Sequence, residues 1–153
     1  VAKKVKEKVL FLDIDGVLWV GVVGMGNWRD FKPEAVINLN YIFSKVKDLK
    51  IVVSSTWRHN NSLEWLDDHF HDNGFIYEAR FIGATPDFFN KPDRARGYEI
   101  QAWLDDHSEV DKFVILDDDS DMVHLKDHLV KTYFYDGLTK ENAEEVVEKF
   151  RGK

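Results

Sequence analysis

Val9–Val17 reads VLFLDIDGV, and this stretch decides the fold. Four apolar residues, Val9 to Leu12, lead into Asp13, Ile14, Asp15 and Gly16. A short apolar run closed by a glycine turn is the pattern of a strand buried on both faces of a parallel sheet. Folding gives no reason to end such a strand in two carboxylates one residue apart. A buried charge is costly unless a cation or hydrogen bonds compensate it. The stretch therefore marks both a central strand and a site, and the rest of the chain can be read for what it adds there.

Downstream, apolar runs alternate with helical periodicity. Trp19–Phe31 (WVGVVGMGNWRDF) contains three glycines and no helical period, and reads as a small flap over the acidic turn. Pro33 suits a first helical turn, and Ala35, Val36, Leu39, Ile42, Phe43 and Val46 recur at helical spacing to about Asp48. Ile51–Val53 is a second strand, ending in Ser54, Ser55, Thr56, Trp57 and Arg58. A helix over Leu63–Phe70 with Ser62 as N-cap stops at Asn73-Gly74. A short strand is expected near Arg80–Ile82, then a loop over Gly83–Ala95 and a helix over Gly97–His107. Lys112–Leu116 is a clear strand that runs into Asp117, Asp118, Asp119, Ser120 and Asp121. A short helix over Met122–His128, a strand over Leu129–Phe134, a turn at Asp136-Gly137 and a helix capped by Thr139 to about Phe150 complete the reading.

This alternation predicts an α/β, Rossmann-like three-layer sandwich with a mostly parallel central sheet, as one domain over residues 1–153. In such sheets ligands sit outside the carboxyl ends of the strands. The three polar clusters, at Asp13-Asp15, Ser54–Arg58 and Asp117–Asp121, all fall at strand carboxyl ends and so meet at one edge.

Composition sets limits on the chemistry. The chain of 153 residues has 44% apolar residues, enough for a sizeable core. It has no cysteine, which excludes disulfides, thiol catalysis and thiolate metal sites. A net charge of −7 disfavours nonspecific binding to a nucleic-acid backbone while leaving a nucleic-acid end open as a substrate. No apolar run is long enough to span a bilayer and the charged start lacks the core of a signal peptide, so a cytoplasmic location away from membranes is expected. Oligomeric state is not legible.

Asp13, Asp15, Asp117 and Asp118 cannot all be ionised at close range without a counter-charge, and hard oxygen ligands with open positions suit Mg²⁺. The plainer reading of any one Asp is a turn or cap residue, and Asp121 in particular could cap the helix that follows it. Ser54, Ser55 and Thr56 offer hydroxyls and turn amides to an anionic oxygen. Lys91, Arg94 and Arg96 form a basic group before the third helix. Trp19, Trp28 and Trp57 lie beside these motifs, where they would either stack on a base or anchor the core and flap. His69 with His71 and His124 with His128 lack the third ligand and the cysteines of a zinc site.

DIDGV at the end of a first strand resembles the DxDGx signature of the haloacid dehalogenase (HAD) superfamily of phosphohydrolases. The other motifs fall in that family's order: VVSST at the end of the second strand, RARGYEI opening a helix, and VILDDDSDM at a later strand end. The detail SSTWR, TPD, RGYEI and LDDDSDM is similar to the small HAD domains grouped with Swiss-army-knife RNA-repair proteins. The resemblance implies that Asp13 is a nucleophile forming an aspartyl-phosphate and that Asp15 is the general acid and base. It also implies that Ser55, or else Ser54, holds the phosphoryl oxygen. Arg96 would stand where the family usually has Lys, with Lys91 and Arg94 as substitutes for it. Mg²⁺ would be held by Asp13, Asp15 through its backbone carbonyl, Asp118, and Asp117 beside it. Gly16, Ser54, Thr56, Trp57 and Arg94 would meet the substrate. The short gaps between motifs do not fit a full cap domain, which implies a bulky phosphorylated substrate such as a nucleic-acid end or a protein, a partner that completes the pocket, or a small nucleotide under a closed flap. The competing expectation is a catalytically degenerate module that binds Mg²⁺ and phosphate for interaction alone.

Overall fold

The computed structural model describes residues 6–21, 30–92 and 94–152. Its centre is the strand read first. β1 (Glu7–Leu12) lies between β2 (Lys50–Val53) and β4 (Val110–Asp117), with β3 (Phe81–Ala84) and β5 (Leu129–Lys131) outside them in the order β3-β2-β1-β4-β5. Every pairing is parallel. Val9, Leu10, Phe11 and Leu12 are each fully buried, as the unbroken apolar run requires.

Their alternation divides the core between two faces. Leu10 and Leu12 pack with α1 (Pro33–Lys45), α2 (Leu63–Asp72) and α4 (Lys140–Arg151). Val9 and Phe11 pack with Ile100 and Trp103 of α3 (Arg96–Asp105) and with Leu125. Burying each such side chain contributes about 1.5–3 kcal/mol, so the central strand is pinned from both sides. The crossover from β3 on one edge to β4 puts the reversal of strand order between β1 and β4, where Asp13 emerges.

Local signals fix the element ends. Pro33 occupies the first turn of α1, and Ser62 accepts from the Trp65 amide at the start of α2. Thr139 and Asn142 form a reciprocal capping box at α4. Gly74 follows α2 with φ 104°, and Gly137 closes the Asp136 turn with φ 69°. Most boundaries differ from the sequence reading by one or two residues, and three of the differences have a local cause. α1 ends at Lys45 because Val46 is already extended and Asp48 turns left-handed at φ 59°. The Met122–His128 helix is a 3₁₀ turn over Val123–His128. β5 ends at Lys131 because Tyr133 pairs with Gly137 across the following turn. Most of the expected flap, with Trp28, lies outside the described residues. Among the described residues there is no cap domain, and no helix is long and apolar enough to cross a membrane.

Candidate active site

The first, second and fourth strands deliver the three polar clusters to one edge of the sheet. The Asp13 amide donates to the Leu116 carbonyl at 3.0 Å, so the ladder between β1 and β4 continues up to the site. The Ser54 amide likewise donates to Leu12 at 2.9 Å. These bonds hold Asp13, Ser54 and Asp117 by backbone that is already committed to the sheet.

One carboxylate oxygen each from Asp13, Asp117 and Asp118 lies within 4.8 Å of the others. Asp13 is only 5% exposed and Asp117 is fully buried. Two unit charges about 4 Å apart repel by about 4 kcal/mol even at an effective dielectric of 20. Burial, and then the Asp117 charge, push the Asp13 carboxyl well above the usual carboxylate range, with Arg96 opposing. Burial pushes Asp117 up to about 7, against the pull of Arg96 and the Asp119 amide. Asp13 Oδ1 accepts from the Ile14 amide at 2.8 Å, and Asp117 Oδ1 accepts from the Asp119 amide at 3.0 Å. Asp117 Oδ2 is buried and has no hydrogen-bond partner.

Arg96 supplies the one cation within this group among the described residues. Its Nη1 lies 3.3 Å from Asp117 Oδ2 and 3.6 Å from Asp13 Oδ1, and it donates to the Ser54 carbonyl. Burial pulls its pKa down, but the Asp117 and Asp13 charges outweigh burial and raise it, so it stays protonated. A cation in the first turn of a helix opposes the helix dipole. Asp121 offsets this: its carboxylate accepts from the Arg96 amide at 3.1 Å and its carbonyl from the Gly97 amide at 3.0 Å. Asp121 thus caps α3, which precedes it, rather than the turn that follows. A Cβ at Gly97 would collide with the Met122 carbonyl, so glycine permits this docking. Of the three basic candidates, Arg96 meets the carboxylates. Lys91 lies over the Phe88 ring at 5.3 Å, and Arg94 lines the neighbouring cleft.

Asp15 stands to one side of the cluster. Its Oδ1 accepts from Trp57 Nε1 at 2.7 Å, while the Trp57 ring packs 5.7 Å from Phe31. The polar edge of Trp57 is therefore occupied by a carboxylate in this structure. Gly16 turns the chain with φ 79°, and a Cβ there would collide with the Asp118 side chain. Its carbonyl accepts from Thr132 Oγ1 at 2.7 Å, tying the turn to the end of β5. Ser55 Oγ accepts from the Trp57 amide at 3.2 Å and caps the 3₁₀ turn Thr56–His59. Its hydroxyl hydrogen remains available to a ligand. Ser54 Oγ is buried without a hydrogen-bond partner. Thr56 is exposed at the rim of the cleft that Arg94 lines.

The donor set fits a hard divalent cation. Three carboxylates lie together, only two of them paired with the Arg96 guanidinium, a buried Asp117 oxygen has no hydrogen-bond partner, and all the ligand atoms are oxygens. The histidines are engaged elsewhere: His71 with the Tyr77 carbonyl, His124 with Gln101, His128 with the Phe113 carbonyl, and His69 stacked on Trp65.

Sequence reasoning missed two contacts. One is the bond from Trp57 to Asp15. The other is a buried ion pair between Arg58 and Glu99, with Arg58 Nη2 3.3 Å from Glu99 Oε2. Glu99 also accepts from the Phe88 amide at 2.8 Å. A carboxylate between Tyr98 and Ile100 carries no periodic signal of its own; only its position three residues after Arg96 put it on the same side of α3.

The family model described as the HAD domain in Swiss Army Knife RNA repair proteins matches residues 9–143. No curated protein and no solved structure matches the chain significantly.

Proposed function

The chain belongs to the family of HAD domains in Swiss Army Knife RNA repair proteins, and from that premise we propose that it is a Mg²⁺-dependent phosphatase acting on the phosphate end of a nucleotide or polynucleotide. The observation that carries the reading is the convergence of Asp13, Asp117 and Asp118 on one point beside Arg96.

Asp13 is the nucleophile. Its Oδ1 is held by the Ile14 amide and faces Arg96, which leaves Oδ2 to attack phosphorus. The bond from phosphorus to the leaving oxygen breaks as the aspartyl-phosphate forms, and Asp15 gives that oxygen its proton. Asp15 then takes a proton from the water that attacks phosphorus, and Asp13 is released with inorganic phosphate. Trp57 holds Asp15 away from the cluster and aimed at the leaving group. Ser55 donates its free hydroxyl hydrogen to a phosphoryl oxygen, and Arg96 neutralises charge on the transferred group. A Mg²⁺ ion held by Asp13, Asp117, Asp118 and the Asp15 backbone carbonyl would supply charge neutralisation between carboxylate and phosphate.

The test is turnover of an aryl phosphate with Mg²⁺ by the protein and by Asp13→Asn. Loss of turnover in the variant is expected, and unchanged turnover would sink the mechanism. If Mg²⁺ and beryllofluoride bind while no phosphate ester is turned over, the domain is a binding module. For the substrate class, 3′-phosphorylated oligonucleotides are compared with mononucleotides. Equal rates would remove the preference for polynucleotide ends.

A further inference from the structure

Beside the carboxylate cluster lies a cleft of about 440 Å³, lined by Thr56, Arg58, Asp87, Phe89, Arg94 and Arg96 among others. Its size falls within the range of sites that hold small organic ligands, roughly 300–1,000 Å³, and is far more than a phosphate needs. Arg96 belongs both to the cleft wall and to the carboxylate cluster. A phosphate placed against Asp13 therefore has this cleft as the next available space for whatever it is attached to.

Two features of the wall point to a flat, hydrogen-bonding group. Phe89 is 72% exposed, so its ring is free to take a flat partner. Its amide is tied to Asp87 Oδ1 at 2.9 Å, which fixes the backbone that carries the ring. Arg58 lies on the opposite strand connection, with its side chain only 9% exposed. Its terminal nitrogens are spent on the Ser55 carbonyl at 2.6 Å and on Glu99. Its Nε is buried without a partner. With Nε closed to solvent, Arg58 bounds the cleft and leaves hydrogen bonding to the exposed groups of the wall. Asp87, Arg94 and His59 add acceptors and donors around the ring.

We propose that this cleft is the leaving-group subsite and that it holds the nucleobase of the terminal nucleotide, stacked on Phe89 and hydrogen-bonded by the polar side chains of the wall, Asp87 and Arg94 among them. The inference rests on the phosphatase reading and adds to it the part of the substrate that is recognised. A simple phenyl group would use the Phe89 face but none of the polar wall. A nucleobase uses both. Stacking a base on an aromatic side chain contributes about 1–3 kcal/mol, which sets the expected effect at roughly 5- to 150-fold.

The test compares a 3′-phosphorylated dinucleotide with its abasic sugar-phosphate counterpart. The readout is the ratio of the two kcat/KM values in the unmodified protein, in Phe89→Ala and in Phe89→Trp. The ratio should fall about 5- to 150-fold in Phe89→Ala and recover in Phe89→Trp. An unchanged ratio in Phe89→Ala overturns the subsite, because loss of fold or of catalysis would lower both substrates together. A second arm reads binding alone, as the fluorescence anisotropy of a labelled oligonucleotide on the protein and on Phe89→Ala. If the unmodified protein turns over neither substrate, the phosphatase reading fails. The binding arm then decides the subsite by itself: weaker binding by Phe89→Ala supports it, and equal binding overturns it.

Discussion

Helix α3 carries two buried charged groups within one turn, and they are built on opposite plans. At Arg96 one guanidinium faces Asp117 and Asp13, with Asp118 close by, so negative charge is in excess. At Glu99 one carboxylate faces one guanidinium, Arg58, and also accepts a backbone amide. The second group is balanced and ties three segments together: the turn after β2, the loop before α3, and α3 itself. The first is unbalanced and leaves an Asp117 oxygen without a hydrogen bond. A group that served folding alone would resemble the second. The excess of carboxylates at Arg96 suits a cation, which is what the proposed function needs before a phosphate can approach.

The sharpest way to break this contrast is Asp13→Asn. Turnover should fall by at least about 10⁴-fold, as when a nucleophile is removed elsewhere. In metal-free buffer the same variant should unfold at an equal or higher urea concentration, because a costly buried carboxyl has gone. A large loss of stability would instead place Asp13 among structural groups.

Glu99→Ala should show the reverse pattern. It leaves Arg58 buried without its partner, and breaking a buried pair typically costs about 3–5 kcal/mol. The urea midpoint should drop accordingly, and the double substitution Arg58→Met with Glu99→Met should recover most of the loss. If Glu99→Ala alone costs less than about 1 kcal/mol, the pair is effectively solvated and the contrast fails.

Between these lies the pH dependence of Asp117. Burial raises its pKa in the folded protein to about 7, so between the ordinary carboxylate value and pH 7 the native state holds a proton that the unfolded chain has released. Stability from this group is fully present at low pH and is lost as pH rises through 7. At 1.36 kcal/mol per decade the loss is at most about 4 kcal/mol. Without metal, the unfolding free energy should decline from pH 5 to pH 8, and Asp117→Asn should lessen that decline, leaving the part that Asp13 contributes. Mg²⁺ should offset it in the parent protein and do little in the variant. A parent protein whose stability is flat over this range would mean that Arg96 already neutralises the cluster.

The order of elements was legible because apolar runs and helical spacing report burial directly, and β1 is the clearest case. The acidic residues were legible because Asp13 and Asp117 stand where burial alone would not put charge. Which basic residue reaches them was not, since Lys91, Arg94 and Arg96 share one loop and only the start of α3 separates them. Glu99 was hidden for the same reason: a buried pair with Arg58, 41 residues away, leaves no local trace. Asp121 had the right role and the wrong helix, because capping across a turn depends on the docking that Gly97 permits.

Trp57 is the smallest and most discriminating case. Read from sequence, it lies beside a motif and either stacks on a base or anchors the core or flap. In the structure its Nε1 is given to Asp15 at 2.7 Å and its ring leans on Phe31. Trp57→Phe keeps most of the ring packing and removes the donor. A hydrogen bond contributes about 0.5–1.5 kcal/mol net, and the short Trp57–Asp15 distance puts this one at the high end. We therefore expect kcat to fall about tenfold with KM little changed, since Asp15 remains present but is less well aimed. The loss should be smaller for an ester with a good leaving group, which needs less proton donation, than for an alkyl phosphate. If KM rises while kcat holds, Trp57 contacts substrate and not Asp15.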